Sequence, residues 1–160
     1  MNFCPQCGVE LKKKKIDGVE RNFCDQPHCD FVNWNNPVPV VAAIVRYDDK
    51  ILLAQNASWP DGRYSFITGY LEECEQPEVA VIREIKEELG LDATVEGFVG
   101  HFIFTDKNQI LIVYAVNAQG EIKLNYELAK YKLFSEEDIL EYMFSYPKFS
   151  QSIIKTYLAI

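Results

Sequence analysis

Three carboxylates, Glu84, Glu87 and Glu88, fall at i, i+3 and i+4 in the run Arg83-Glu84-Ile85-Lys86-Glu87-Glu88-Leu89-Gly90-Leu91. On an α-helix that spacing gathers them within about 100° of arc. Like charges so close cost an isolated helix a few tenths of a kcal/mol per pair, so the cluster needs a positive partner. A divalent cation held by oxygen ligands, together with a phosphate-bearing substrate, supplies one. The bland alternative is a solvated acidic helix face, the ordinary reading of a charge run. The flanking Gly69, Arg83 and Gly90 weigh against it.

A second set of chemistry-bearing residues lies at the N-terminus. Four of the five cysteines occur in the first 29 residues, as Cys4-Pro5-Gln6-Cys7-Gly8 and Cys24-Asp25-Gln26-Pro27-His28-Cys29. Between the pairs, Asp17-Gly18 is a hairpin-turn signal, and two strands joined there bring the pairs together. Four thiolates then form a tetrahedral zinc site, which a module this small needs in order to fold. The second pair is the looser one. His28 rivals Cys29 for the fourth place, with Cys29 preferred because all-cysteine sites are a standard structural type. The skew in cysteine use suits a reducing cytoplasm better than a disulfide framework. Cys74 stands alone among acids and reads as a small buried side chain in the loop before the acidic helix. The lysines at 12–15 read as a solvated strand face.

The elements that must position these residues follow from pattern. Trp34-Asn35-Asn36-Pro37 marks a break, dividing the chain into domains 1–33 and 34–160. Residues 38–47 are apolar and β-branched, a buried strand, and 51–54 return as its hairpin partner. A short strand at 64–67 leads into Gly69. A helix starts near Gln76, with Pro77 in its first turn, and stops at Gly90. Val79, Ile82, Ile85 and Leu89 form its expected buried stripe, on a different face from the acids. Residues 94–104 and 109–116 read as a long hairpin and 131–134 as a strand. Helices follow near 138–144, capped by Ser135, and at 148–158. The class is therefore α+β.

With 48% hydrophobic and 13% aromatic residues, the chain can fill a core. No run of eighteen apolar residues is present, so no membrane span is expected. The N-terminus lacks a basic stretch followed by an apolar one, so a cytoplasmic location is expected. A net charge of −8 argues against non-specific nucleic-acid binding. It does not argue against phosphate-bearing substrates, because bound cations invert the local field.

The spacing Gly69-x5-Glu75-x7-Arg83-Glu84-Ile85-x-Glu87-Glu88-x-Gly90-Leu91 resembles the Nudix box at every specified position. The resemblance extends over roughly 38–160. A zinc ribbon ahead of it is similar to the branch that includes NADH and FAD pyrophosphatases. The resemblance implies an α/β/α sandwich around a mixed sheet, preceded by a small zinc-ribbon module. It implies a Mg²⁺- or Mn²⁺-dependent hydrolase of nucleoside diphosphates linked to another moiety. Glu84, Glu87 and Glu88 would be metal ligands, with a backbone carbonyl at Thr68 or Gly69. Glu75 and Arg83 would pair and brace the loop. Cys4, Cys7, Cys24 and Cys29 would hold a structural zinc. The family often dimerises.

Two stretches depart from that branch. Where NADH pyrophosphatases carry a Ser-Gln-Pro-Trp-Pro-Phe-Pro type segment, this chain reads Gly100-His101-Phe102-Ile103-Phe104-Thr105-Asp106. The substrate stays open among FAD, ADP-ribose and NADH, with His101 a weak candidate contact. Where the branch has a further glutamate before its last helices this chain has Lys130, and Glu127, one turn earlier, is the candidate extra ligand or base, with Glu84 the other candidate base. Phe66, Tyr70, Phe102 and Phe104 are candidates to stack on a base, against the ordinary reading that they are core. The rival class is a catalytically silent, nucleotide-sensing or RNA-associated zinc-ribbon protein, which has no need of three intact box glutamates.

Overall fold

A computed structural model describes residues 1–144 and 146–159. Ser145 and Ile160, the last residue of the expected second domain, lie outside the described residues. The chain forms two compact units, Met1–Asn36 and Pro37–Ile160.

In the first unit, β1 (Lys12–Ile16) and β2 (Val19–Phe23) form an antiparallel hairpin, and β3 (Val32–Asn33) adds to β2. The turn falls at Asp17-Gly18 with Ile16 opposite Val19. Lys12, Lys13, Lys14 and Lys15 are all exposed, the solvated face expected of them. The hydrophobic side chains buried in this unit are those of Cys4 and Cys24. Its interior is therefore made of thiols rather than aliphatic groups.

The second unit is built on β4 (Val38–Tyr47), apolar for most of its length because both of its faces are covered. Along one edge β4 runs parallel to β8 (Gln109–Gln119). Its other edge is shared. β6 (Ile67–Tyr70) pairs with residues 40–43, and β5 (Lys50–Asn56) pairs with residues 45–47. β7 (Asp92–Phe104) pairs antiparallel with β8, and β9 (Leu128–Phe134) with β5, giving a mixed six-stranded sheet. The parity of β4 sorts its side chains. Val41, Ala43 and Val45 pack with α1 (Pro77–Leu89), whereas Val40, Ala42 and Ile44 join the layer of α2 (Glu136–Glu141) and α3 (Pro147–Leu158). The architecture is thus α+β, an α/β/α sandwich. Among the described residues, no helix is long and apolar enough to cross a membrane.

Several local expectations are corrected. The strand expected at 64–67 lies at Ile67–Tyr70, so Gly69 sits inside a strand paired to Val41 rather than after one. The helix capped by Ser135 starts and ends earlier than expected, at Glu136–Glu141, with Ser135 Oγ accepting from the Asp138 N–H at 3.1 Å. Val79 is 55% exposed and leaves the buried stripe of α1, which consists of Ala80, Val81, Ile85 and Leu89. The acidic and apolar faces are not separate either, because Glu88 is buried at their border beside Leu89. Cys74 is exposed with φ 61°, not buried, because its segment is a turn rather than a packed loop.

Candidate active site

Helix α1 is delimited by its ends: Pro77 opens its first turn, and Gly90 closes it in the left-handed conformation with its N–H on the Lys86 carbonyl. Two of the last carbonyls, which have no partner within the helix, are taken by a later segment. Lys123 N–H donates to Leu89 O at 2.8 Å, and Asn125 N–H to Glu88 O at 3.0 Å. Asn125 Oδ1 then accepts from the Glu127 N–H at 2.9 Å. That zipper brings Glu127 alongside Glu84 and Glu88, close enough for its charge to act on both.

Arg83 is the positive hub. Its Nε and Nη2 donate to the two carboxylate oxygens of Glu75 at 2.8 and 2.9 Å. Its Nη1 donates to Glu84 at 2.8 Å and to Glu87 at 3.2 Å, and Nη2 also reaches the Tyr70 carbonyl at 3.1 Å. Glu75 in turn accepts from the Glu72 N–H at 3.0 Å, so the loop before α1 is clamped to the helix. The Arg83 guanidinium, then the Glu72 N–H, hold the Glu75 carboxyl down to about 2. Its usual value in an unfolded chain is about 4.3. A carboxylate depressed in the fold stabilises it above the unfolded value and loses that contribution as pH falls through the folded one. Glu75→Gln is therefore expected to lower the melting temperature at pH 7, with the gap to wild type closing between about pH 4.5 and pH 2. A pH series of thermal melts checks this; a gap constant with pH would detach the stability of the loop from this pair.

Glu88 receives none of this help. It is buried, and among the described residues its carboxylate has no hydrogen-bond or ion-pair partner. Burial, then the charges of Glu84, Glu127 and Glu87, push its pKa up to about 8. Glu84 is also raised, chiefly by burial, with Arg83 opposing. The donor set is all oxygen and its innermost member lacks a cation from the chain, which fits a hard divalent ion.

Glu84, Glu87, Glu88 and Glu127 line a cavity of about 640 Å³, as do Thr68 and Gly69. Of the aromatic candidates, Phe66, Tyr70 and Phe104 line the cavity, whereas Phe102 packs into the core. His101 is exposed on β7 with its ring 4.8 Å from Phe98, away from the cavity. Trp59, Tyr146 and Phe149 also line it, and the sequence singled out none of them.

In the first unit the sulfur atoms of Cys4, Cys7, Cys24 and Cys29 all lie within 4.8 Å of one another. Cys4 and Cys29 Sγ are 3.6 Å apart, and Cys7 and Cys24 Sγ 3.4 Å. Four thiolates around a zinc at about 2.3 Å stand about 3.8 Å from each other, so the group could hold that ion. His28 is exposed and outside the group.

A model of the NUDIX domain matches residues 36–155. The chain belongs to the NUDIX family. It is 32% identical over 127 residues to the NAD-capped RNA hydrolase NudC of Vibrio atlanticus (strain LGP32), covering 79% of this chain and 46% of that protein. Identity to the NudC of Vibrio vulnificus (strain CMCP6) is 30% over 141 residues, covering 87% and 52%. The chain thus spans about half the length of the curated relatives it matches. The fold superposes on the crystal structure of a NUDIX hydrolase from Nitrosomonas europaea with a TM-score of 0.82 at 23% identity, covering 99% of this chain and 91% of that one.

The glycine that opens the NUDIX box has a steric role here. A Cβ at Gly69 would lie 1.9 Å from Glu84 Cδ, so the Glu84 carboxyl rests directly over the backbone of β6. Because the obstacle is the far end of a flexible side chain, Gly69→Ala should fold. It should displace the Glu84 carboxylate and lower kcat by roughly 10²-fold, the usual cost of a misplacement of about 1 Å. Turnover measured beside a melting curve checks this; unchanged kcat would show that Glu84 need not sit against Gly69.

Proposed function

We propose that this NUDIX chain is a divalent-metal-dependent pyrophosphohydrolase. Its substrate is a nucleoside diphosphate linked to another moiety, with FAD, ADP-ribose and NADH the leading substrates. The observation that carries this reading is that Glu84, Glu87, Glu88 and Glu127 all line one ligand-sized, aromatic-lined cavity, near enough for their charges to act on Glu88. Glu84, Glu87, Glu88 and the Gly69 carbonyl would hold Mg²⁺ or Mn²⁺. A cation bound there would offset diphosphate charge and lower the pKa of a water. Glu127, exposed at the rim of the cluster, accepts the proton of the attacking water. As oxygen bonds to phosphorus, the anhydride P–O bond breaks, giving a nucleoside monophosphate and a second phosphorylated product. Arg83 and Glu75 take no proton; they hold Glu84 and the loop in place.

The first unit is read as a structural zinc ribbon, since four cysteines leave the ion no open position for chemistry. Thiolates that must stay reduced fit a reducing cytoplasm.

The name of the Vibrio relatives adds the NAD-capped end of an RNA to the substrates worth testing. Net acidity argues against binding along an RNA backbone, but not against holding one capped end. A panel of FAD, ADP-ribose, NADH, nucleoside triphosphates and NAD-capped RNA with Mg²⁺ or Mn²⁺ tests the reading. Nucleoside monophosphate release from a diphosphate-linked substrate is expected. Binding without turnover anywhere in the panel would favour the nucleotide-sensing alternative.

A further inference from the structure

The connection between β5 and β6, residues 57–66, is held more firmly than its exposed Pro60-Asp61-Gly62 turn requires. The Gly62 N–H donates at 3.0 Å to Oε1 of Gln55, which is only 4% exposed. The Tyr142 hydroxyl donates to the Gly62 carbonyl at 3.1 Å and accepts from the Tyr64 N–H at 2.8 Å. Asp61 pairs with Lys130 at 2.7 Å, and the Ala57 N–H donates to the Glu127 carbonyl at 2.7 Å. Tyr142 is itself fixed, its ring 4.9 Å from that of Phe134 and 4.8 Å from that of Phe144. One hydroxyl thus ties this loop to the helical layer on the far side of the sheet from α1.

What the loop presents to the cavity is unmatched within the chain. Trp59 is half-buried, and among the described residues no aromatic ring or cation stacks on it. Arg63 lines the same cavity, is exposed, and among the described residues its guanidinium has no hydrogen-bond or ion-pair partner. The other cavity arginine, Arg83, is committed to Glu75, Glu84, Glu87 and the Tyr70 carbonyl. An arginine left unpaired in a cavity lined by Glu72, Glu84, Glu87, Glu88 and Glu127 is suited to an anion brought by the ligand. A free indole face beside it is suited to a planar base.

Resting on the pyrophosphohydrolase reading above, we propose that loop 57–66 is the recognition element for the nucleotide portion of the substrate. Trp59 stacks on the base, and Arg63 pairs with a phosphate oxygen. Tyr142 is a positioning residue that acts through the loop. The ligand class is a nucleotide with both an aromatic base and a phosphate, not a phosphorylated sugar alone.

The test reads binding separately from turnover. The chain has two tryptophans, so in a Trp34→Phe background the emission reports Trp59. Without added divalent cation, AMP and ADP-ribose should quench it saturably, and ribose 5-phosphate should not. Loss of the quenching on Trp59→Phe in the otherwise wild-type chain gives the same answer by difference. Arg63→Met should weaken binding and raise KM about 10- to 100-fold, as expected for a charge-assisted hydrogen bond. Tyr142→Phe keeps the ring packing and should raise KM roughly 5- to 20-fold with kcat within about twofold. That effect should vanish when Arg63→Met is already present, since both act through one loop. A merely structural Tyr142 would instead lower the melting temperature and kcat, and its effect would add to that of Arg63→Met. Turnover with no quenching, and with KM unchanged in Arg63→Met, would overturn this assignment and leave the catalytic reading standing. Quenching without turnover on any substrate would remove the catalytic reading and leave the recognition loop standing.

Discussion

Glu88→Gln is expected to leave the folded domain at least as stable as wild type while lowering turnover by roughly 10²- to 10³-fold. The two halves of that expectation have one cause. Glu88 is a buried carboxylate with no partner among the described residues, and burial together with the neighbouring acids raises its pKa to about 8. In the unfolded chain the same group titrates near 4.3. Between those values the folded state keeps a proton that the unfolded state releases. Stability without added cation therefore falls as pH rises from about 4.5 to about 8, and levels off above that. Gln is a neutral isostere and lacks that decline, so the variant should gain most over wild type above pH 8. Added Mg²⁺ should stabilise wild type by mass action and stabilise the variant much less. Thermal melts at pH 6 and pH 9, with and without Mg²⁺, together with turnover, check all three points. Turnover within tenfold of wild type, or a variant less stable at pH 9 without cation, would remove Glu88 from the ligand set.

The same residue shows how much of the site was legible in the sequence. Acids at i, i+3 and i+4 did predict a shared helical face, and Pro77 and Gly90 fixed the limits of that helix, because these signals act within a few residues. The electrostatic partner was only half legible. Arg83 neutralises Glu84 and Glu87 through one guanidinium nitrogen, yet leaves Glu88 bare. That division depends on side-chain reach, which spacing does not encode. The position of Glu127 depends on the zipper of Lys123 and Asn125 onto the end of α1, a tertiary event with no local signature. Trp59, Phe66, Phe104 and Phe149 come from three separate segments, and only the folded domain brings them to one cavity. Strand β4 was legible because both its faces are buried and its apolar run is continuous, whereas β6 was misplaced because Thr68 and Gly69 hide its alternation and Ile67 is its one buried residue.

Removing metal from the first unit should have the largest structural effect. Chelation under reducing conditions, or Cys24→Ser, is expected to unfold residues 1–36 altogether and leave the sandwich with its own cooperative transition. A unit of this size normally needs disulfides, a metal or a partner to stay folded. None of its cysteines is joined in a disulfide, and its buried hydrophobic side chains are two of them, Cys4 and Cys24. Apolar burial therefore contributes little, and the hairpin of β1 and β2 is marginal by itself. Zinc bound to four thiolates supplies about 10–16 kcal/mol in small modules of this kind, enough to account for folding outright. Metal analysis of protein purified without chelator should find about one zinc per chain. Hydrogen exchange should show the β1 and β2 amides losing protection when it is removed and regaining it when zinc is restored. Cys74→Ser is the internal control: that thiol is exposed and outside the cluster, so its loss should change neither stoichiometry nor protection. Protection that persists in the reduced, metal-free chain would mean the hairpin is held by something other than the four sulfurs, and the ribbon assignment would fall.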